Sequence, residues 1–300
     1  MRILAALLAV LLLAGCQAGP DQQQSDEGPI TVTGEFGSVP VVTFEAPLEM
    51  GESTIEVLIE GDGRELLPEG PVLLALTAYG GDDGAILADR GAGTPRNLLL
   101  TPEDVGENLF GVLTGVAEGS RLLMVQPVDD GGPDMMLVVV IDVLRTQAHG
   151  EAAEPVDGVP VVGSTDTGAP TATVPEGIVE PTELQVVPVT RGAGSQVKPG
   201  QEVVVQYTAW AWDDGVVYDS TWESGGVPAT IAIDDTFAGL RNGVVDQRVG
   251  SRVMLLIPPS QAIGTDALVM VVDILAVIGE GEVETPAPTD SAAPTPDPTG

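Results

Sequence analysis

A fixed offset of 131 positions lays the first half of this chain over the second. Gly61 falls on Gly192, Gly63 on Gly194, Pro68 on Pro199 and Thr77 on Thr208. The same offset carries Asp82-Asp83-Gly84 onto Asp213-Asp214-Gly215 and Gly119-Ser120-Arg121 onto Gly250-Ser251-Arg252. It then matches Pro127 with Pro258, Leu137-Val138 with Leu268-Val269, and Asp142 with Asp273. A single register held from residue 61 to residue 142 means one fold written twice. The segments ahead correspond as well, GPITVTGEFGSVPVVTF from Gly28 against GVPVVGSTDTGAPTATV from Gly158. Two units, each far longer than a solenoid repeat, make a duplicated globular domain and not an array.

The second unit is the easier one to read. Residues 203–212 are strand-like, and a turn at Asp213-Asp214-Gly215 leads back through Val216-Val217-Tyr218, the pattern of a hairpin. Further strands are expected at 228–233, 252–257 and 268–275. Between the first and second of these, TFAGLRNGVV places Phe237, Leu240, Val244 and Val245 on one stripe behind Asp234-Asp235, which predicts a short helix. Unit one marks its helix with Thr101-Pro102-Glu103-Asp104: a cap, a proline at the first helical position and an acid three residues after the cap. With 38 glycines and 25 prolines, turns are favoured over long helices. The expected class is α+β, each unit an antiparallel sheet wrapped around one short helix.

Charge and residue counts exclude several functions. Forty-five acids against eleven bases repel phosphate backbones, and the bases never cluster, so neither nucleic acid nor basic attraction to lipid headgroups is expected. One Cys and one His, His149, supply no internal disulfide, no zinc ligand set and no Ser-His or Cys-His pair, so no cofactor is expected. Asp129-Asp130-Gly131-Gly132 and Asp134 lack the alternating carboxylates of a calcium loop and read first as solvated turn residues.

The ends carry an address. Arg2 precedes the apolar run from Ile3 to Ala14, too short to span a bilayer and suited to an export signal. Leu13-Ala14-Gly15-Cys16 resembles the lipobox of bacterial lipoproteins, which implies cleavage before Cys16 and lipid on its thiol. The alternative is an ordinary signal peptide beside an accidental cysteine. The expected organisation is a signal peptide at 1–15, a tether at 16–27, the first unit at 28–146 and a linker at 147–157. The second unit follows at 158–277, then a Pro/Thr/Asp-rich tail at 278–300 that cannot bury a core. Such a chain would be held on the outer face of the bacterial cell membrane.

Within the second unit, GAGSQVKPGQEVVVQYTAWAWDDGVVYDSTW, IPPSQAIG and ALVMVVDIL together resemble the FKBP-type peptidyl-prolyl isomerase family. The resemblance spans most of unit two and reaches unit one mainly through the repeat. It implies a bent sheet around a short helix. It also implies a pocket walled by Tyr207, Tyr218 and Asp219, with Phe237 at the helix entrance and Leu240 on a floor where the family usually has Trp. Met270 falls where an inward aromatic is usual, Ile263 where a Tyr is usual, and the loop from Gly264 to Ala267 is shorter than the flap that commonly covers bound proline. Alternation independently puts Leu268, Met270, Val272 and Ile274 on one strand face.

The activity so implied is rotation of Xaa-Pro bonds in proline-containing segments of secreted or membrane proteins, without metal or covalent intermediate. The alternative is a peptide-binding or scaffold lipoprotein that keeps the fold without the catalysis. In unit one, Leu76 and Leu87 stand where unit two has its tyrosines, and Asp89 lies one place out of register. A structural or binding module is expected there. Trp210 and Trp212 point away from the Tyr207 face, either to pack within their unit or to meet a partner.

Overall fold

The computed structural model describes residues 29–128, 134–175 and 177–279. The signal segment, Cys16, the tether, the Asp129-Asp130 turn and the tail from residue 280 lie outside them. The chain is rich in sheet and poor in helix. Its first half contains β1 (Ile30–Thr33), β2 (Val41–Phe44), β3 (Thr54–Ile59), β4 (Pro71–Gly80) and β5 (Ala92–Leu99). It continues with α1 (Pro102–Val105), α2 (Glu107–Leu113), β6 (Arg121–Val128) and β7 (Met135–Leu144). The second half contains β8 (Glu151–Ala152), β9 (Val161–Ser164), β10 (Pro170–Thr173), β11 (Gln185–Arg191) and β12 (Glu202–Ala211). After these come β13 (Val217–Ser220), β14 (Ala229–Ala232), α3 (Ala238–Val244), β15 (Arg252–Ile257) and β16 (Leu268–Ile278).

The two halves share one strand pattern. The first sheet runs β3-β6-β7-β4-β5 and the second β8-β11-β15-β16-β12-β13, with β14 also on β12; all the pairings are antiparallel. Offset-related residues hold the pattern. Gly61 N–H donates to Ser120 Oγ at 3.0 Å and Gly192 N–H to Ser251 Oγ at 2.9 Å. A Cβ at Gly61 would run into the Glu118 carbonyl, and one at Gly192 into that of Val249, so only glycine permits these crossings. Where one helix was expected in the first half there are two short ones, α1 and α2, broken at Gly106 with its φ of 83°; they lie over one apolar core and α3 lies over the other. Leu66, Leu74, Leu113 and Ile141 fill the first; Val205, Leu240, Leu255 and Ile274 fill the second. Thr101 caps α1 as its sequence predicts, its hydroxyl accepting from Asp104 N–H at 3.2 Å.

Each sheet has a second buried face, covered by its own N-terminal hairpin. The β1–β2 hairpin lies on Tyr79, Leu123, Val138 and Val140. The β9–β10 hairpin lies on Trp210, Trp212 and Met254, which settles the alternatives for the two tryptophans in favour of packing. A buried ion pair ties each hairpin down. Arg121 Nε and Nη2 hold Asp142 at 2.6 and 2.7 Å, while its two Nη atoms each reach a carbonyl, that of Gly34 or Glu35, at 2.9 Å. Arg252 holds Asp273 at 2.5 and 2.7 Å and reaches Ser164 Oγ and the Gly168 carbonyl.

Candidate functional site

A half-open cup of about 290 Å³ sits on the face of the second sheet that α3 covers. That is near the lower end of small-ligand pockets. Strand β12 enters it with Tyr207 and Ala209 two positions apart on one face, and β16 contributes Leu268 and Met270 in the same way. The hairpin return β13 supplies Tyr218 and Asp219, β14 supplies Ile231 and Ala232, and α3 sets Phe237 at its mouth and Leu240 on its floor. Asp235, Thr236 and Ile263 complete the rim. The floor is dry, with Ala209, Leu240, Leu268 and Met270 all 4% exposed or less. The rim is wet, with Tyr218 and Ile263 about half exposed.

One polar pair crosses this apolar wall. Tyr207 Oη donates to Asp219 Oδ2 at 2.6 Å. Burial, then the hydrogen bond to Asp219, then that carboxylate's charge push the phenol's pKa well above its usual value, so it stays a proton donor throughout the neutral range. Main-chain bonds lock the geometry: Tyr207 N–H donates to Thr221 Oγ1 at 2.9 Å, and Thr221 N–H returns to the Tyr207 carbonyl at 3.1 Å. The hydroxyls of Thr208 and Ser220 pair across the strands at 2.9 Å.

The seven residues picked from the sequence, Tyr207, Tyr218, Asp219, Phe237, Leu240, Ile263 and Met270, all line this cup, and the two tyrosines share it. Six others were missed. Ala209 and Leu268 were legible, one through alternation from Tyr207 and the other through alternation from Met270. Ile231, Ala232, Asp235 and Thr236 depend on β14 folding back onto the first half of β12, a long-range pairing with no local signal. In the first half of the chain, Leu76, Leu87, Leu109 and Val139 occupy the corresponding places and pack in a single apolar cluster, while Asp89 is exposed. No hydroxyl–carboxylate pair can form there. The tyrosine of that half, Tyr79, lies on the opposite face and donates to the Pro40 carbonyl.

Residues 194–273 match the family of FKBP-type peptidyl-prolyl cis-trans isomerases. A Corynebacterium glutamicum protein named "Probable FK506-binding protein" is 29% identical over 105 residues, 32% of this chain and 88% of that protein. The peptidyl-prolyl cis-trans isomerase Fkbp12 of Drosophila melanogaster is 37% identical over 84 residues, 27% of this chain and 77% of that protein. Among solved structures, FkpA from Escherichia coli aligns at 26% identity with a TM-score of 0.29, over 39% of this chain and about half (51%) of its own. Through the segment that builds the Tyr207–Asp219 cup, this chain belongs to the FKBP-type peptidyl-prolyl cis-trans isomerase family.

Proposed function

We propose that the chain is a tandem of two FKBP-like α+β domains, residues 28–146 and 158–277, and that the cup of the second rotates Xaa-Pro bonds. The observation that carries this reading is a dry floor crossed by one ordered Tyr–Asp pair. The reaction needs no nucleophile. An Xaa-Pro amide resists rotation because resonance must be lost, across a barrier of about 18–20 kcal/mol. A cup that excludes water disfavours the more polar planar amide and grips the twisted one better, which lowers that barrier by differential binding. Leu240 and Met270 hold the ring, and Tyr218 shields the amide. Asp219, with Oδ2 occupied by Tyr207, offers Oδ1 to an N–H after the proline.

The test is cis/trans exchange of an Ala-Leu-Pro-Phe peptide followed by NMR with the full chain. Catalysed exchange is expected. Peptide shifts without faster exchange would select the second reading, a binding or scaffold protein, which the small Leu240 floor and the short loop after Gly264 favour.

Asp219 and Asp235 line the cup while no Lys or Arg does. Peptides with Lys or Arg beside the proline should therefore bind better than peptides with Glu there. Asp235→Asn should weaken the basic peptide about two- to fivefold, as expected for a solvated ion pair, and should reduce the salt dependence of its Kd. Equal loss for basic and acidic peptides would contradict this.

The substrates in this reading are proline-containing segments of secreted or membrane proteins, met at the outer face of the cell membrane. Lipid on Cys16 would hold the protein there, two or more acyl chains anchoring where one does not. Cys16→Ala should move the protein from the membrane pellet to the soluble fraction. An unchanged pellet would exclude the anchor.

A further inference from the structure

The hairpins leave part of each sheet's second face, and those parts cover each other. On β4, Val72, Leu74 and Ala78 point into the core, while Leu73 and Ala75 point out beside Leu144 of β7. These three meet Val204 of β12 and Leu275 and Ala276 of β16, and all six are 6% exposed or less. Under the 131-residue offset, Leu73 is the counterpart of Val204, and Leu144 of Leu275. The two halves thus share two positions of the patch and differ at the third, since the counterpart of Ala75 is Gln206 and that of Ala276 is Arg145. At its margin Asn97 Nδ2 donates to the Pro228 carbonyl, and positions 97 and 228 are themselves counterparts. Corresponding faces in contact, with one position meeting its own counterpart, have the geometry of an approximate two-fold interface. The chain is an internal pseudo-dimer.

The two sides of that axis carry different residues, and the difference falls on the cup. Asn97 Oδ1 accepts from Thr230 Oγ1 at 3.3 Å, and Pro71 Cγ stands 3.7 Å from where a Cβ on Gly226 would be. From below, the buried Gln206 side chain donates to the Gly226 carbonyl at 2.5 Å. The segment from Gly226 to Thr230 is therefore clamped between the two halves, and it leads directly into Ile231 and Ala232 on the cup wall. Strand β14 is short and bonded to β12 alone, so little else fixes it.

We propose that the first half of the chain is a built-in partner that sets this wall, with Asn97 as a positioning residue; its effect on peptide binding rests on the cup being the working site. In the full chain, Asn97→Ala should shift the amide resonances of Ile231 and Ala232. It should weaken Ala-Leu-Pro-Phe binding about three- to tenfold, the worth of one or two hydrogen bonds, with a single unfolding transition retained. Asn97→Asp, which keeps the shape but loses the donor to Pro228, should match the Ala variant, whereas Asn97→Gln should recover part of the loss. Unmoved Ile231 and Ala232 resonances would overturn the proposal, and so would an Asp variant that behaves as wild type. If Asn97→Ala fails to fold, Asn97→Ser gives the same readout. A wild-type chain that does not bind the peptide, in a series where those resonances still move with residue 97, would refute the cup as the working site and leave the positioning intact.

Discussion

Arg252→Met is expected to lower the unfolding free energy by about 3–5 kcal/mol, because it leaves Asp273 as an uncompensated charge in the protein interior. Asp273 is 1% exposed, and two Arg252 nitrogens are its closest polar partners. The same change strips donors from Ser164 Oγ and the Gly168 carbonyl, so the β9–β10 hairpin should loosen over Trp210 and Trp212. Urea unfolding followed by tryptophan fluorescence measures both effects. Arg252→Met combined with Asp273→Leu should recover much of the loss, since replacing both members removes the stranded charge. A double variant as unstable as the single one would mean that the hairpin contacts, and not the stranded carboxylate, carry the effect. Arg121 and Asp142 repeat the arrangement in the first half of the chain.

Tyr218→Ala is expected to slow catalysed Xaa-Pro exchange about tenfold, equivalent to about 1.4 kcal/mol of transition-state stabilisation. Tyr218 is half exposed at the rim, so the fold should tolerate its truncation, and NMR exchange rates read the activity directly. A fall in peptide affinity with an unchanged bound-state exchange rate would mean that Tyr218 binds both planar forms and the twisted one alike. Activity should also be flat between about pH 6 and pH 9, because a phenol held above its ordinary value near 10 cannot ionise there. The stability tied to Tyr207 is fully present below about pH 10 and is lost as pH rises through its higher folded-state value. A rate that declines through pH 8 would point to a different titrating group.

Much of the cup was legible residue by residue. Tyr207, Tyr218 and Asp219 flank one two-stranded turn, and the Asp213-Asp214-Gly215 signal brings them face to face through local pairing alone. The first-half substitutions Leu76 and Leu87 likewise foretold an apolar patch without the polar pair. Asp235 and Ile231 were not legible, since what matters is the strand onto which their segment folds. Trp210 and Trp212 show the same limit: alternation turned them away from the cup, but nothing local named the β9–β10 hairpin as their cover.

By itself the sequence determined the duplication, the strands, turn and helix of the second half from residue 203 onward, and which side chains share a face, because a repeat register and a period of two are properties of the chain read along its length. Tertiary structure alone decided what lies against each face. Leu73 and Val204 both read as outward residues of a strand, and only the packing of one half on the other buries them together and brings Asn97 against the Pro228 carbonyl. Burial depends on which distant surfaces exclude water from each other, and that is a property of two surfaces at once.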